Sequence, residues 1–266
     1  MLLIKKHKWV IFMGALVVIW AAITLLTKWI QPIFLPSPIQ VLACLWDMRA
    51  NLPLAIAASL GITLGGFGLG LFLGVGMGLF MAYSRGFLEM VGPVMEFTRP
   101  VPVFALIPLF MLWFGVSVLP QILLVALGVG AILGVSTYEA VRNMPTIYVR
   151  AASNLGADRR TIFRTVVVPY IFPHLIGAIR VAAAASWGLD VASEFMGVQI
   201  GLGYNMIVQQ IYLNTAGIIS LVIVYSILAI GLDQIIRRIE ARLTHWTERS
   251  KLSFEIVGVK KVEAKA

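Results

Sequence analysis

Residues 142–169 read RNMPTIYVRAASNLGADRRTIFRTVVVP. They carry Arg142, Arg150, Arg159, Arg160 and Arg164 against a single acid, Asp158, and they interrupt a chain that is otherwise strongly apolar. In a polytopic membrane protein, a loop this basic stays on the cytoplasmic side. Its internal signals are local. Pro145 can open a helix that runs through Leu155, Gly156 suits a helix-ending position, and Asp158 can cap a second short helix. The stretch predicts helix, sharp turn, helix, within one large cytoplasmic loop over 142–170.

The composition around this loop agrees. Of 266 residues, 60% are hydrophobic and 12% charged, and the mean hydropathy is +0.93. A soluble domain carries about 25% charged residues, so an ordinary soluble enzyme is excluded and the chain reads as one polytopic, all-α membrane domain. The 21 Lys and Arg outnumber 12 Asp and Glu. In such a protein that excess is a topology signal and does not imply nucleic acid. The lone Cys44 excludes an internal disulfide and a cysteine metal cluster. His7, His174 and His245 have no ligand-like spacing, so no metal site is expected.

About six transmembrane helices follow from the hydrophobic runs. Residues 1–28 hold Lys5, Lys6 and Lys8, then an apolar run ended by Lys28. It is longer than a signal-peptide core and lacks a small-x-small cleavage site, so it reads as a retained span. Residues 29–54, with Pro32, Pro36, Pro38 and Pro53, form an external segment holding a short interfacial helix. The core, 55–246, begins with a span over about 55–83, where Gly66, Gly70, Gly74 and Gly78 stand four apart, beside Gly61 and Gly65. This row should let another helix approach closely. A short turn is expected at Ser84-Arg85-Gly86. The third span, about 102–114, follows Pro93 and Pro100 and contains Pro102 and Pro108, so a straight helix is not expected. The fourth covers 119–138 with Gly130 and Gly134, the fifth 172–195, and the sixth 215–232, with a short external helix over 204–213. The tail, 247–266, is expected to be mobile. This arrangement puts 17 of the 21 basic residues and both termini in the cytoplasm.

Ser186, Asp190, Ser193 and Glu194 fall within about 60° of Asp190 at 100° per residue, giving the fifth span one polar face. Intramembrane acids usually face a bundle interior or a wet cavity, so this face is expected to line the translocation path. The alternative for Glu194 is a brace for the loop at Gly201–Gly203. Arg180 and Arg99 are electrostatic candidates for an anion, or else snorkel to the interface or pair with Glu96. A rival function would be a secondary transporter coupled to ions at Asp190 and Glu194.

Arg150-Ala151-Ala152, Gly156 four residues beyond Ala152, and Val166-x-Val168-Pro169 after nine more resemble the cytoplasmic signature of binding-protein-dependent ABC importer permeases, E-A-A-x3-G-x9-I-x-L-P. Ala151, Ala152, Gly156 and Pro169 match, Val166 and Val168 are conservative, and Arg150 stands where glutamate is commonest. The resemblance implies a type I (MetI-like) permease fold in a bacterial inner membrane. It also implies that the knob at Arg150, Ala151, Ala152, Leu155, Gly156, Ala157, Asp158 and Pro169 docks on a separate ATPase. No G-x4-G-K-[ST] phosphate loop occurs here, so ATP and Mg are expected on two partner ATPase subunits, with no cofactor and no catalysis in this chain. A second permease copy, simplest as a homodimer, and an extracytoplasmic solute-binding protein complete the implied assembly.

Leu35-Pro36-Ser37-Pro38, Arg99-Pro100-Val101-Pro102, Ile107-Pro108-Leu109, Trp113-Phe114-Gly115 and Gly201-Leu202-Gly203 look like the nitrate, sulfonate and taurine group of these permeases. That group also carries bicarbonate, aromatic acids and pyrimidine vitamin precursors, and taurine or another sulfonate is the first expectation. Trp187 and Glu194 fit the group's usual pattern, whereas position 190 is more often apolar.

Overall fold

The computed structural model describes residues 2–26, 31–98, 101–195 and 198–243, and every regular element among them is helical. In chain order these are α1 (Leu2–Leu26), α2 (Pro38–Asp47), α3 (Leu52–Tyr83), α4 (Arg85–Thr98), α5 (Ile107–Phe114), α6 (Val118–Arg142), α7 (Thr146–Asn154), α8 (Arg159–Ile162), α9 (Val168–Glu194), α10 (Leu202–Ile211) and α11 (Thr215–Leu243). The expectations for Lys28, Arg99 and the tail 247–266 lie outside the described residues.

Four helices are long and apolar enough to cross a membrane unaided: Leu52–Tyr83, Val118–Arg142, Arg159–Glu194 and Thr215–Arg242. The first and third expected crossings correspond to shorter apolar helices, Val10–Leu26 and Val103–Phe114. The third is the most altered. Its 3-10 turn (Val103–Leu106) leads into the eight-residue α5, together roughly 20 Å against a hydrocarbon core of about 30 Å. Prolines at 102 and 108 set both starts. The turn expected at Ser84-Arg85-Gly86 is confined to Ser84, because Arg85 already opens α4 and pairs with Glu89 at 3.1 Å.

The centre of the bundle is the α3–α6 pair. A Cβ on Gly66 would lie 2.5 Å from Val125 Cβ, on Gly70 2.7 Å from the Ala126 oxygen, on Gly74 2.6 Å from the Gly130 oxygen, and on Gly78 2.5 Å from the Gly134 oxygen. The glycine row is therefore in backbone-to-backbone contact, where van der Waals packing substitutes for the hydrophobic drive that lipid does not supply. Residue numbers rise together along the contact, so the two helices run parallel. Gly61, by contrast, faces open space. Ile62, Phe67, Val125, Val129 and Leu133 continue this core to Ala182 and Ala183 of α9.

Outside the spans, α2 starts with a full capping box between Ser37 and Gln40. It is tied to α11 by the Ser220 hydroxyl, which donates to the Val41 carbonyl at 2.8 Å. The α10 helix begins two residues earlier than the 204–213 segment expected, because Gly201 ends the preceding loop with φ 120°.

Candidate functional site

The knob forms as its residue types require. α7 ends in a Schellman arrangement: Gly156 adopts φ +82°, its N–H donates to the Ser153 carbonyl at 2.9 Å, and the Ala157 N–H donates to the Ala152 carbonyl at 3.1 Å. Asp158 then caps α8 by accepting from the Thr161 N–H at 3.2 Å. The Thr161 hydroxyl and N–H together hold the Asp158 carboxyl below its ordinary range. Beneath the knob Met144, Ile162 and Val167 are buried, and Ala152 and Ala157 pack on them. Those two alanines therefore serve the knob's own core. The face left outward is Ile147, Tyr148, Ala151 and Leu155, the last 88% exposed. Positions 147, 151 and 155 recur every fourth residue along one helix face. Arg150, Asp158 and Pro169 are also exposed.

Two features of this region were not readable from the loop's charge pattern. Arg159 donates to the Tyr83 carbonyl at the end of α3 and stacks over the Tyr83 ring at 4.6 Å, so the knob is fastened to the C-terminal end of that span. In addition, α8 does not stop. It passes through a π-helical turn, Phe163–Val167, in which the Val168 N–H bonds the Phe163 carbonyl, and continues as α9. The fifth span thus begins within the loop, at Arg159, and not near 172. A π turn shifts the hydrogen-bond register by one residue, just ahead of Pro169 and Pro173, neither of which has an N–H to donate.

Within the membrane, a cavity of about 590 Å³ is lined by Val103, Gly128, Val135, Glu139, Gly188 and Leu189, among others. Ser186, Asp190, Ser193 and Glu194 are not in its lining. They are 0–1% exposed, enclosed with Ser59 and Thr63 of α3, Gln121 of α6 and Tyr225 of α11, all of them buried. Glu194 holds the loop at Gly201–Gly203. Its Oε2 accepts from the Gly203 N–H at 2.5 Å and from Tyr225 at 3.1 Å, and its Oε1 from Ser59 at 2.7 Å. Ser59 in turn accepts from the Leu202 N–H at 2.9 Å. Gly203 must be small here, since a Cβ would sit 2.9 Å from Glu194 Cβ, and a Cβ on Gly201 would fall on the carboxylate itself. The Gly201-Leu202-Gly203 motif is the shape of this contact. Arg180 does not meet Glu96. It pairs with Asp233 of α11 at 2.7 Å, and Arg237 takes the other carboxylate oxygen at 2.8 Å. Asp233 lies 53 residues along the chain, beyond any local pattern.

Comparison with known proteins gives one consistent answer. A family model described as binding-protein-dependent transport system inner membrane component matches residues 70–245. The taurine transport system permease protein TauC of Escherichia coli (strain K12) is 32% identical over 91% of this chain and 93% of its own length. A probable ABC transporter permease protein of Brucella abortus (strain 2308) is 32% identical over 82% of this chain and 88% of its own. Among solved structures, an inward-facing MetNI methionine ABC transporter aligns with a TM-score of 0.64 at 20% identity, over 74% of this chain and 98% of that one. The last likeness concerns the fold.

Proposed function

We propose a solute and an assembly for this chain from one premise: it belongs to the family of binding-protein-dependent transport system inner membrane components. It is a multi-pass, non-enzymatic permease subunit of an ABC importer, and such subunits work with ATPase subunits and a solute-binding protein. The solute we assign is a small sulfonate, taurine first. The observation that carries this reading is the likeness to TauC along nearly the whole chain.

In this reading two copies of the chain pair in a bacterial inner membrane with both termini cytoplasmic. Two ATPase subunits, each holding ATP and Mg, grip the knobs. The exposed row Ile147, Tyr148, Ala151 and Leu155 enters the ATPase groove, with Arg150 at its side, while Gly156, Ala157, Asp158 and Pro169 shape and aim it. The solute passes along the face of α9 that carries Ala185, Gly188 and Leu189, which line the cavity. Ser186, Asp190, Ser193 and Glu194 form the opposite, load-bearing side of the same helix. Closure of the ATPases favours one permease state through the knob, a coupling between distant sites.

The test is ATPase activity of the complex purified through this chain, with binding protein loaded with taurine, another sulfonate or nitrate. Stimulation by the sulfonates and not by nitrate is expected. Stimulation by nitrate alone would overturn the solute, and the absence of any co-purifying ATPase would overturn the assembly.

A further inference from the structure

Asp190 and Glu194 stand one helical turn apart in the interior of the bundle, 0% and 1% exposed, and neither forms a salt bridge among the described residues. The elements packed on them contribute Ser59 and Thr63 from α3, Gln121 from α6, backbone N–H groups from α10 and Tyr225 from α11. Apart from the two acids, the only titratable group in this set is Tyr225. Two bare carboxylates so close in a low-dielectric interior are strongly unfavourable without a positive charge.

Counting hydrogens says where that charge sits. Glu194 faces donors: the Gly203 N–H, whose direction is fixed by the backbone, and the hydroxyls of Ser59 and Tyr225. Tyr225 has one hydrogen, and its oxygen lies 3.1 Å from Glu194 Oε2 and 3.3 Å from Asp190 Oδ2. Once that hydrogen goes to Glu194, the contact with Asp190 needs a hydrogen from Asp190 itself. Asp190 Oδ1 and Thr63 Oγ1 are fully buried atoms without a hydrogen-bond partner, although the Thr63 side chain lies beside Asp190. A neutral Asp190 supplies that hydrogen, its Oδ2–H donating to the Tyr225 oxygen, while its Oδ1 is an acceptor for the Thr63 hydroxyl in either state.

We propose that this layer is a one-proton site in which Asp190 binds a proton and Glu194 remains ionised, linked in the order Asp190–H, Tyr225–H, Glu194. The proton is a structural ligand. It neutralises one acid and completes the brace that holds the Gly201–Gly203 loop to α3 and α11.

The test is infrared difference spectroscopy of the assembled transporter in lipid nanodiscs at neutral pH, in H2O and D2O. The C=O stretch of a protonated carboxylic acid, downshifted in D2O, is expected in the parent and lost in Asp190→Asn. The thermal midpoint supplies a second readout. Asparagine mimics a neutral acid, so Asp190→Asn should leave the midpoint nearly unchanged. Glu194→Gln turns an amide toward the fixed Gly203 donor and should lower it. The proposal is overturned if Asp190→Asn leaves the band intact or fails to assemble, or if Glu194→Gln is the silent variant. A band present in choline buffer and abolished by sodium would give the charge to a metal cation and overturn it as well.

Discussion

Gly201 shows how one missing side chain positions a buried acid. Its φ of 120° is open to glycine and rarely to other residues, and the space a Cβ would fill is occupied by the Glu194 carboxylate. Gly201→Ala therefore combines backbone strain with displacement of a charge from its donors. The expected loss is about 1–3 kcal/mol, seen as a lower thermal midpoint of the purified complex. An unchanged midpoint would mean that the loop is not held by Glu194. The sequence placed Ser186, Asp190, Ser193 and Glu194 on one face, because helical periodicity is a property of the helix alone. It could not say what covers that face. Ser59 and Tyr225 lie 135 and 31 residues from Glu194, and with them the four residues make up a buried polar layer.

At the scale of the element, the legible features were those whose causes are local. Pro145, Gly156 and Asp158 delimit α7 and the start of α8 with caps that need no distant partner. The run of α8 through a π turn into α9 was hidden because the apolar run marks the fifth span only from about residue 172, whereas the turn that joins the two helices lies at Phe163–Val167. The glycine row makes a contrast that can be measured. Gly74 meets the Gly130 backbone while Gly76 meets nothing within 4 Å. Gly74→Leu should force α3 from α6 at an overpacking cost of about 1–3 kcal/mol and reduce recovery of folded permease from membranes, whereas Gly76→Leu should express normally. On the knob, Leu155→Glu places a charge at the most exposed apolar position of that face. Docking should weaken by about 2 kcal/mol, the scale of an interface hot spot. Solute-stimulated ATPase activity should fall while the permease's own thermal midpoint holds. If both fall together, Leu155 serves the fold and not the coupling.

For the whole molecule, the charge distribution sets an orientation that labelling can read. With Cys44→Ser as background, Leu155→Cys should react with a membrane-impermeant maleimide only after the cells are opened. Tyr212→Cys, beyond α10 and 77% exposed, should react on intact cells. The reverse pattern would invert the topology. Six hydrophobic segments were readable from the sequence, and four of them are helices long and apolar enough to cross a membrane. The way the six are tied was not, since the ties are single polar contacts between remote residues: Arg180 to Asp233, Arg159 to Tyr83, Ser220 to Val41.

The helix from Arg159 to Glu194 spans 36 residues, about 54 Å of continuous rod at 1.5 Å per residue. One end lies in the knob and the other carries the carboxylate that holds the Gly201–Gly203 loop. A rod of that length is a lever: a tilt of about 5° at its base sweeps its tip through roughly 5 Å, more than a hydrogen bond survives. In the proposed assembly the contacts that break first under such a stroke are those of Glu194 at the tip, so the loop it holds is the end most sensitive to a push at the knob. In that reading the π turn at 163–167 acts as the clutch beside the point of push, and stiffening or loosening it would change how much of each stroke reaches the far end of the rod.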